Sequence, residues 1–301
     1  MSGIVDFVVA PLRVAYLRRA LEESALLAML GATVGVHVIL RRLAFLTEAV
    51  QHAVLPGIAI AFVTGTSLLA GAAASALAAI VVLLVLGSRR VDHDAAQAVI
   101  ITVFVAVGVV IVSRRRGFQA DLTALLFGRL LTVGGDELVQ TAIVLAACAI
   151  TLLVTHRQLV LVAFDRTTAM ALGYRVAVLD AVLYALVAAS VVASVRAVGT
   201  VLVVAFLVTP AATARVITDR IGPMILVAAL IGALTSWLGL AVSYDASINH
   251  RTRLASGATV VLAMTVVFAV AVGVRIIVGR LRSVPPLDAD GGSAVLAGSS
   301  T

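Results

Sequence analysis

Residues 67–87 read SLLAGAAASALAAIVVLLVLG, 21 residues without a charged side chain. A helix needs about 20 mostly apolar residues to cross the hydrocarbon of a bilayer. No polar face runs along this stretch to meet water, so it is read as a membrane-spanning helix. The same reading repeats outward in both directions. Residues 24–40, closed by Arg41-Arg42, and residues 43–64 precede it. Residues 95–112, 138–154, 176–195, 198–214, 224–242 and 257–278 follow. The fold class is an all-α integral membrane protein with about nine (8–9) transmembrane helices.

Composition agrees with that reading. Hydrophobic residues make up 62% of the chain and charged residues only 12%, with a mean hydropathy of +1.17. A soluble domain of this length carries about twice that share of charge. Basic residues outnumber acidic ones by 22 to 15, for a net charge of +7. They are scattered between the spans, which suits anionic lipid headgroups and argues against a nucleic-acid stripe. Every basic residue is Arg and none is Lys. A Walker A phosphate loop, which ends in Gly-Lys-Ser/Thr, is therefore absent, and any ATP used must be bound by another chain.

The segments between spans are short. Residues 1–20 carry Asp6, Pro11, Arg13, Arg18 and Arg19 and are read as an interfacial segment. Residues 113–137 (SRRRGFQADLTALLFGRLLTVGGDE) hold too short an apolar centre to cross, and predict a re-entrant or surface helix. Residues 155–175 (THRQLVLVAFDRTTAMALGYR) read as a long connector. Residues 283–301, rich in Pro, Gly, Ser and Asp, read as a disordered tail. One transmembrane domain, residues 21–282, is left. The Arg residues fall almost evenly on the two sides, so charge does not orient the chain.

The chemistry concentrates in residues 43–64, LAFLTEAVQHAVLPGIAIAFVT. Charge inside a membrane costs about 2.5–3.5 kcal/mol at a helix centre and is seldom kept without use. Glu48 and His52 stand at i and i+4, on one helical face. A carboxylate with an imidazole suits zinc, manganese or iron. Two readings stay open: a metal or proton pathway, and an interhelical pair that only holds the bundle together. Gln51 lies beside them. Pro56, followed by Gly57, removes the N–H that the His52 carbonyl would use, which predicts a bend. Pro210 does the same to the Phe206 carbonyl, with Thr209 and Thr213 placed to share hydrogen bonds there. Pore lining and a plain kink are both open for Thr209 and Pro210.

Other residues carry less. His93 between Asp92 and Asp94 reads as a solvated turn, and His37 as an interfacial residue. His156 and His250 fall in connections. Asp180, one turn inside its span, is placed to pair with Arg175. Cys148, the only cysteine, lies mid-span and reads as a small buried hydrophobe. No Ser/His/Asp or Cys/His set shares a span, so nothing argues for an enzyme. Asp165 reads as a helix N-cap and Gly173 as a helix stop, which predicts a short helix between them.

Five ordered stretches resemble the permease subunits of bacterial zinc, manganese and iron ABC importers. They are RRLAFLTEAVQHAVLPGIAIAF (41–62), DLTALLFGRLLTV (121–133), FDRTTAMALGY (164–174), VGTVLVVAFLVTPAATAR (198–215) and SYDASINHRTRLASGATVVL (243–262). Thr47-Glu48 stands where the family has Gly-Asp. The resemblance implies a multi-pass protein of the bacterial cytoplasmic membrane, with its N-terminus outside. It implies a two-fold homodimer, two ATPase subunits on the cytoplasmic side and an extracytoplasmic metal-binding protein. Phe164, Asp165, Ala169 and Gly173 then form the loop that couples to the ATPase. Glu48 and His52 from two copies then converge on the transported ion, with no resident cofactor. The rival to this reading is a proton-coupled secondary metal transporter or channel.

Overall fold

The computed structural model describes residues 14–88, 92–113, 130–249 and 255–282. Among these residues there is helix, one 3-10 turn at Leu130–Thr132 and no strand. The helices are α1 (Ala15–Leu40), α2 (Ala44–Thr64), α3 (Leu68–Ser88), α4 (His93–Ser113), α5 (Gly135–Phe164), α6 (Arg166–Ala171), α7 (Val176–Val198), α8 (Thr200–Ile217), α9 (Ile221–Asn249) and α10 (Ser256–Arg282). Eight are long and apolar enough to cross a membrane, and α8 adds a shorter apolar stretch at Leu202–Ile217. The expected span at 198–214 thus forms a helix among the described residues, but its apolar stretch is shorter than those of the eight.

Several boundaries differ from the expectation. α1 begins at Ala15, so the last residues of the expected interfacial segment continue into the first helix. The 155–164 part of the expected connector is the end of α5, a helix of 30 residues. α9 and α10 also run past the expected ends, to Asn249 and Arg282. Hydropathy marks the lipid-facing length of a helix, whereas backbone hydrogen bonding continues into polar sequence. Most of the segment 113–137, most of the interfacial segment 1–20, His250 and the tail 283–301 lie outside the described residues.

α1 is the central element. It packs on α5, α7, α8 and α9, while α2 packs on α3, α4, α7 and α8. α1, α2 and α7 are mostly buried, and α3, α4, α5 and α10 present broad apolar faces outward. Lipid is as apolar as leucine, so close packing must hold such helices together. Glycine supplies it where α1 crosses α8. A Cβ on Gly31 would fall 2.3 Å from the Phe206 carbonyl oxygen, and one on Gly35 would fall 1.9 Å from that of Leu207. No larger residue fits at either position.

Candidate functional site

α2 carries the polar pair that the sequence singles out. His52 Nε2 donates to Glu48 Oε1 at 3.0 Å. The pair is not sealed, since the Glu48 side chain keeps 40% of its exposure and that of His52 29%. Phe45 and Leu55 continue the same open face, while Leu46, Ala49, Val50 and Ala53 bury the other. Gln51 is turned into the bundle and buried. Six buried side-chain polar atoms among the described residues lack a hydrogen-bond partner, and three belong to this helix: Thr47 Oγ1, Gln51 Oε1 and His52 Nδ1. Such atoms are costly to leave unmet, so α2 is where polar capacity stands unused.

α2 runs unbroken through Pro56. Pro56 offers no N–H to the His52 carbonyl, and the hydroxyl of Ser75 on α3 donates to the adjacent Ala53 carbonyl. Gly57 lets α3 come into backbone contact, because a Cβ there would fall 2.1 Å from the Gly71 carbonyl oxygen. Gly108 of α4 faces Pro56 itself.

α8 likewise runs through Pro210, in a different setting. The Phe206 carbonyl that it frees lies against Gly31, and the Pro210 ring packs toward Gly232 of α9. Thr213 donates to the Thr209 carbonyl at 2.7 Å. That corrects the expected sharing at Phe206, where the close approach of α1 occupies the carbonyl's surroundings.

The predicted short helix forms as α6. The Asp165 carboxylate accepts from the Thr168 backbone N–H at 2.9 Å. Hydrogen bonds from the Thr168 side chain, then from its backbone, hold the Asp165 carboxyl below the usual carboxylate range. At the other end, Tyr174 N–H donates to the Ala169 carbonyl at 3.1 Å and Gly173 N–H to that of Met170 at 3.0 Å. Gly173 sits at φ +84°, a backbone conformation that glycine adopts without strain. Ala169 is fully buried, whereas Phe164, Met170, Leu172 and Tyr174 present apolar side chains outward around α6.

Three polar arrangements were not legible beforehand. Among the described residues Asp180 pairs with Arg166 and Arg41 in place of the expected Arg175. It accepts from Arg166 at 2.8 Å and from Arg41, which approaches closely. His37, expected at the interface, and His156, expected in a connection, meet ring to ring, with His156 Nδ1 3.2 Å from His37 Nε2. Glu23, placed by hydropathy just outside the first span, is fully buried and accepts from Thr141 at 2.7 Å. The signal for Glu23 was periodicity, because Ala20, Glu23, Ser24 and Leu27 share one buried face. Cys148 is buried, as expected.

Among the described residues no three His, Cys, Asp or Glu side chains come together to hold a metal ion. One protomer therefore offers Glu48 and His52 alone at this position.

Helices of this length and apolarity, a polar pair on a half-open helix face, and a capped apolar knob at one end of the bundle define a multi-pass membrane permease. The chain belongs to the ABC 3 transport family, whose match covers residues 13–275. It is 34% identical to the manganese transport system membrane protein MntC of Halalkalibacterium halodurans, over 90% of this chain and 91% of that one. It is 31% identical to the chelated iron transport system membrane protein YfeC of Yersinia pestis, over 80% of this chain and 82% of that one. Its fold is similar to a chain of PsaBC from Streptococcus pneumoniae solved in complex with Fab. That match has a TM-score of 0.77 and 29% identity, and covers 89% of this chain and 95% of the other. It is thus a multi-pass protein of the cytoplasmic membrane, all-helical and of the metal-type ABC permease fold.

Proposed function

We propose that this chain is the membrane-spanning subunit of an ATP-driven importer for a divalent transition-metal ion: manganese, iron or zinc. The observation that carries the proposal is the half-open Glu48–His52 pair on a helix with unmet polar atoms. Turned to lipid, such a pair would cost several kcal/mol. Turned to a second copy of the chain, it becomes half of a binding site. Two Glu48 carboxylates balance the +2 charge of the ion, and two His52 rings add nitrogen. The mixed set disfavours calcium and magnesium, which take oxygen shells. The hydrogen bond between His52 Nε2 and Glu48 Oε1 must open for the ion to take both side chains. Relatives named for manganese and iron transport support this cargo class.

α6 supports the ATP-driven part. Its exposed Phe164, Met170, Leu172 and Tyr174 suit a groove on a separate ATPase subunit, with Asp165, Ala169 and Gly173 fixing their carrier. The ATPase chain hydrolyses ATP, and an extracytoplasmic metal-binding protein delivers the ion to the opposite face.

The test is uptake into vesicles holding this chain with its ATPase and supplied with the extracytoplasmic metal-binding protein, with manganese, iron and zinc ions offered in parallel. ATP-dependent uptake is expected for at least one ion, and it is expected to collapse in Glu48→Gln and His52→Ala with protein levels unchanged. Parent-rate uptake in both variants makes the pair structural. Uptake that follows a proton gradient without ATP makes the chain a secondary transporter.

A further inference from the structure

Arg166, Asp180 and Arg41 tie three parts of the molecule together at one end of the bundle. Arg166 is the first residue of α6. Asp180 lies in α7, one turn from its start, and is only 7% exposed. Arg41 caps the C-terminal end of α1 and leads, through the three-residue turn Arg41–Leu43, into α2. One carboxylate thus holds both guanidiniums, with Oδ1 taking Arg41 and Oδ2 taking Arg166 at 2.8 Å.

The two limbs are unequal. The Arg41 side chain is 8% exposed, and its Nη1 is buried without a partner. Among the described residues Asp180 is the anion that pairs with that charge, so the Arg41–Asp180 limb must stay closed to keep a buried cation neutralised. The Arg166 side chain is 50% exposed, so water can replace Asp180 around it at little cost. One limb is fixed and the other can release.

The turn beyond Arg41 is equally constrained. Arg42 has φ +55°, which a non-glycine residue seldom adopts, and Leu43 N–H donates back to the Val38 carbonyl at 2.9 Å. A displacement of Arg41 therefore passes to the start of α2, and Glu48 stands one turn further on.

We infer that Asp180 is the latch through which α6 acts on the Glu48–His52 face. With Arg166 engaged, α6, α7 and the α1–α2 turn move as one unit. With Arg166 released, α6 shifts while the turn stays with α7. Asp180 and Arg166 are then positioning residues, which touch neither cargo nor nucleotide and set how much motion reaches α2. This inference rests on the importer reading above.

The experiment uses the full chain with its ATPase in vesicles, with the extracytoplasmic metal-binding protein supplied, and reads metal ions moved per ATP hydrolysed. Manganese, iron and zinc ions serve as probes. Parent vesicles without ATP-dependent uptake of any of them defeat the importer reading itself. With uptake established, Arg166→Ala is expected to lower the ions moved per ATP at least tenfold while the complex still assembles. Asp180→Asn is expected to do the same, and Asp180→Glu to restore a large part of the ratio. Adding Arg166→Ala to Asp180→Asn should bring little further loss, because both open the same link. Arg166 is half-exposed, so its variant remains informative if Asp180→Asn does not accumulate. A parent-like ratio in Arg166→Ala overturns the latch. So does an equal fall in uptake and hydrolysis, which marks loss of assembly alone.

Discussion

Two helices in this bundle run through an internal proline, and the two prolines have different surroundings. At Pro210 the freed Phe206 carbonyl is covered by Gly31 of α1, and the ring is packed toward α9. At Pro56 glycines of α3 and α4 also close in, but one turn earlier the helix leaves Glu48 and His52 half-open. The backbone hydrogen bond lost to proline is the same in both. A proline in a membrane helix therefore does not mark a pathway by itself. What distinguishes them is the polar atoms next to the proline and whether neighbouring helices cover them.

That contrast can be broken at several points. The largest effect is expected at the sealed crossing. Gly35→Leu would force a side chain into the Leu207 carbonyl, where even Cβ has only 1.9 Å. Folded protein should vanish from size-exclusion profiles of solubilised membranes, and normal recovery would show that α1 and α8 do not cross as described. Next comes the open pair. Glu48→Gln should lower metal uptake about tenfold or more, which corresponds to about 1.4 kcal/mol. Its unfolding free energy should change by only about 1 kcal/mol or less, because the pair is half-solvated. A large loss of stability would turn the pair into a structural element.

The prolines themselves should separate more gently. Pro56→Ala restores an N–H for the His52 carbonyl and should re-aim His52, with uptake reduced severalfold. Pro210→Ala should leave uptake within about twofold, since its carbonyl already faces packed backbone. Equal effects from the two would erase the distinction.

The smallest effect lies away from both prolines, at the cap of α6. The folded Asp165 carboxyl is held below its ordinary range of about 3.9. Its contribution is therefore fully present above that ordinary value and is lost as pH falls through the lowered one. Hydrogen exchange at the Thr168 amide should stay protected from pH 7 to 5 and lose protection in strong acid. Asp165→Ala should remove the protection throughout, and identical exchange in both proteins would leave the cap without effect.

The spans and α6 were legible for local reasons. A run of apolar residues reports lipid contact, and a cap needs only the residues beside it, so Asp165 and Gly173 could be read directly. The Glu48–His52 pair was legible because both partners share one helix face. Asp180 and Arg41 are 139 positions apart, and His37 and His156 are 119 apart. Nothing in either neighbourhood encodes the partner, because helix packing brings them together. Glu23 misled for another reason. Its charge suggested the end of a span, while its burial depends on a hydroxyl from α5.

The length of α5 has a mechanical consequence. Its 30 residues make a rod of about 45 Å, against about 30 Å of hydrocarbon. Residues 155–164 account for the excess and end at α6, the helix proposed above to meet the ATPase. A tilt of about 10° around the opposite end would sweep that tip through about 8 Å, by the arithmetic of a rigid helix. The residues near the pivot would hardly stir. α5 thus has the proportions of a lever, with a long stroke at its tip and a short, forceful one within the bundle.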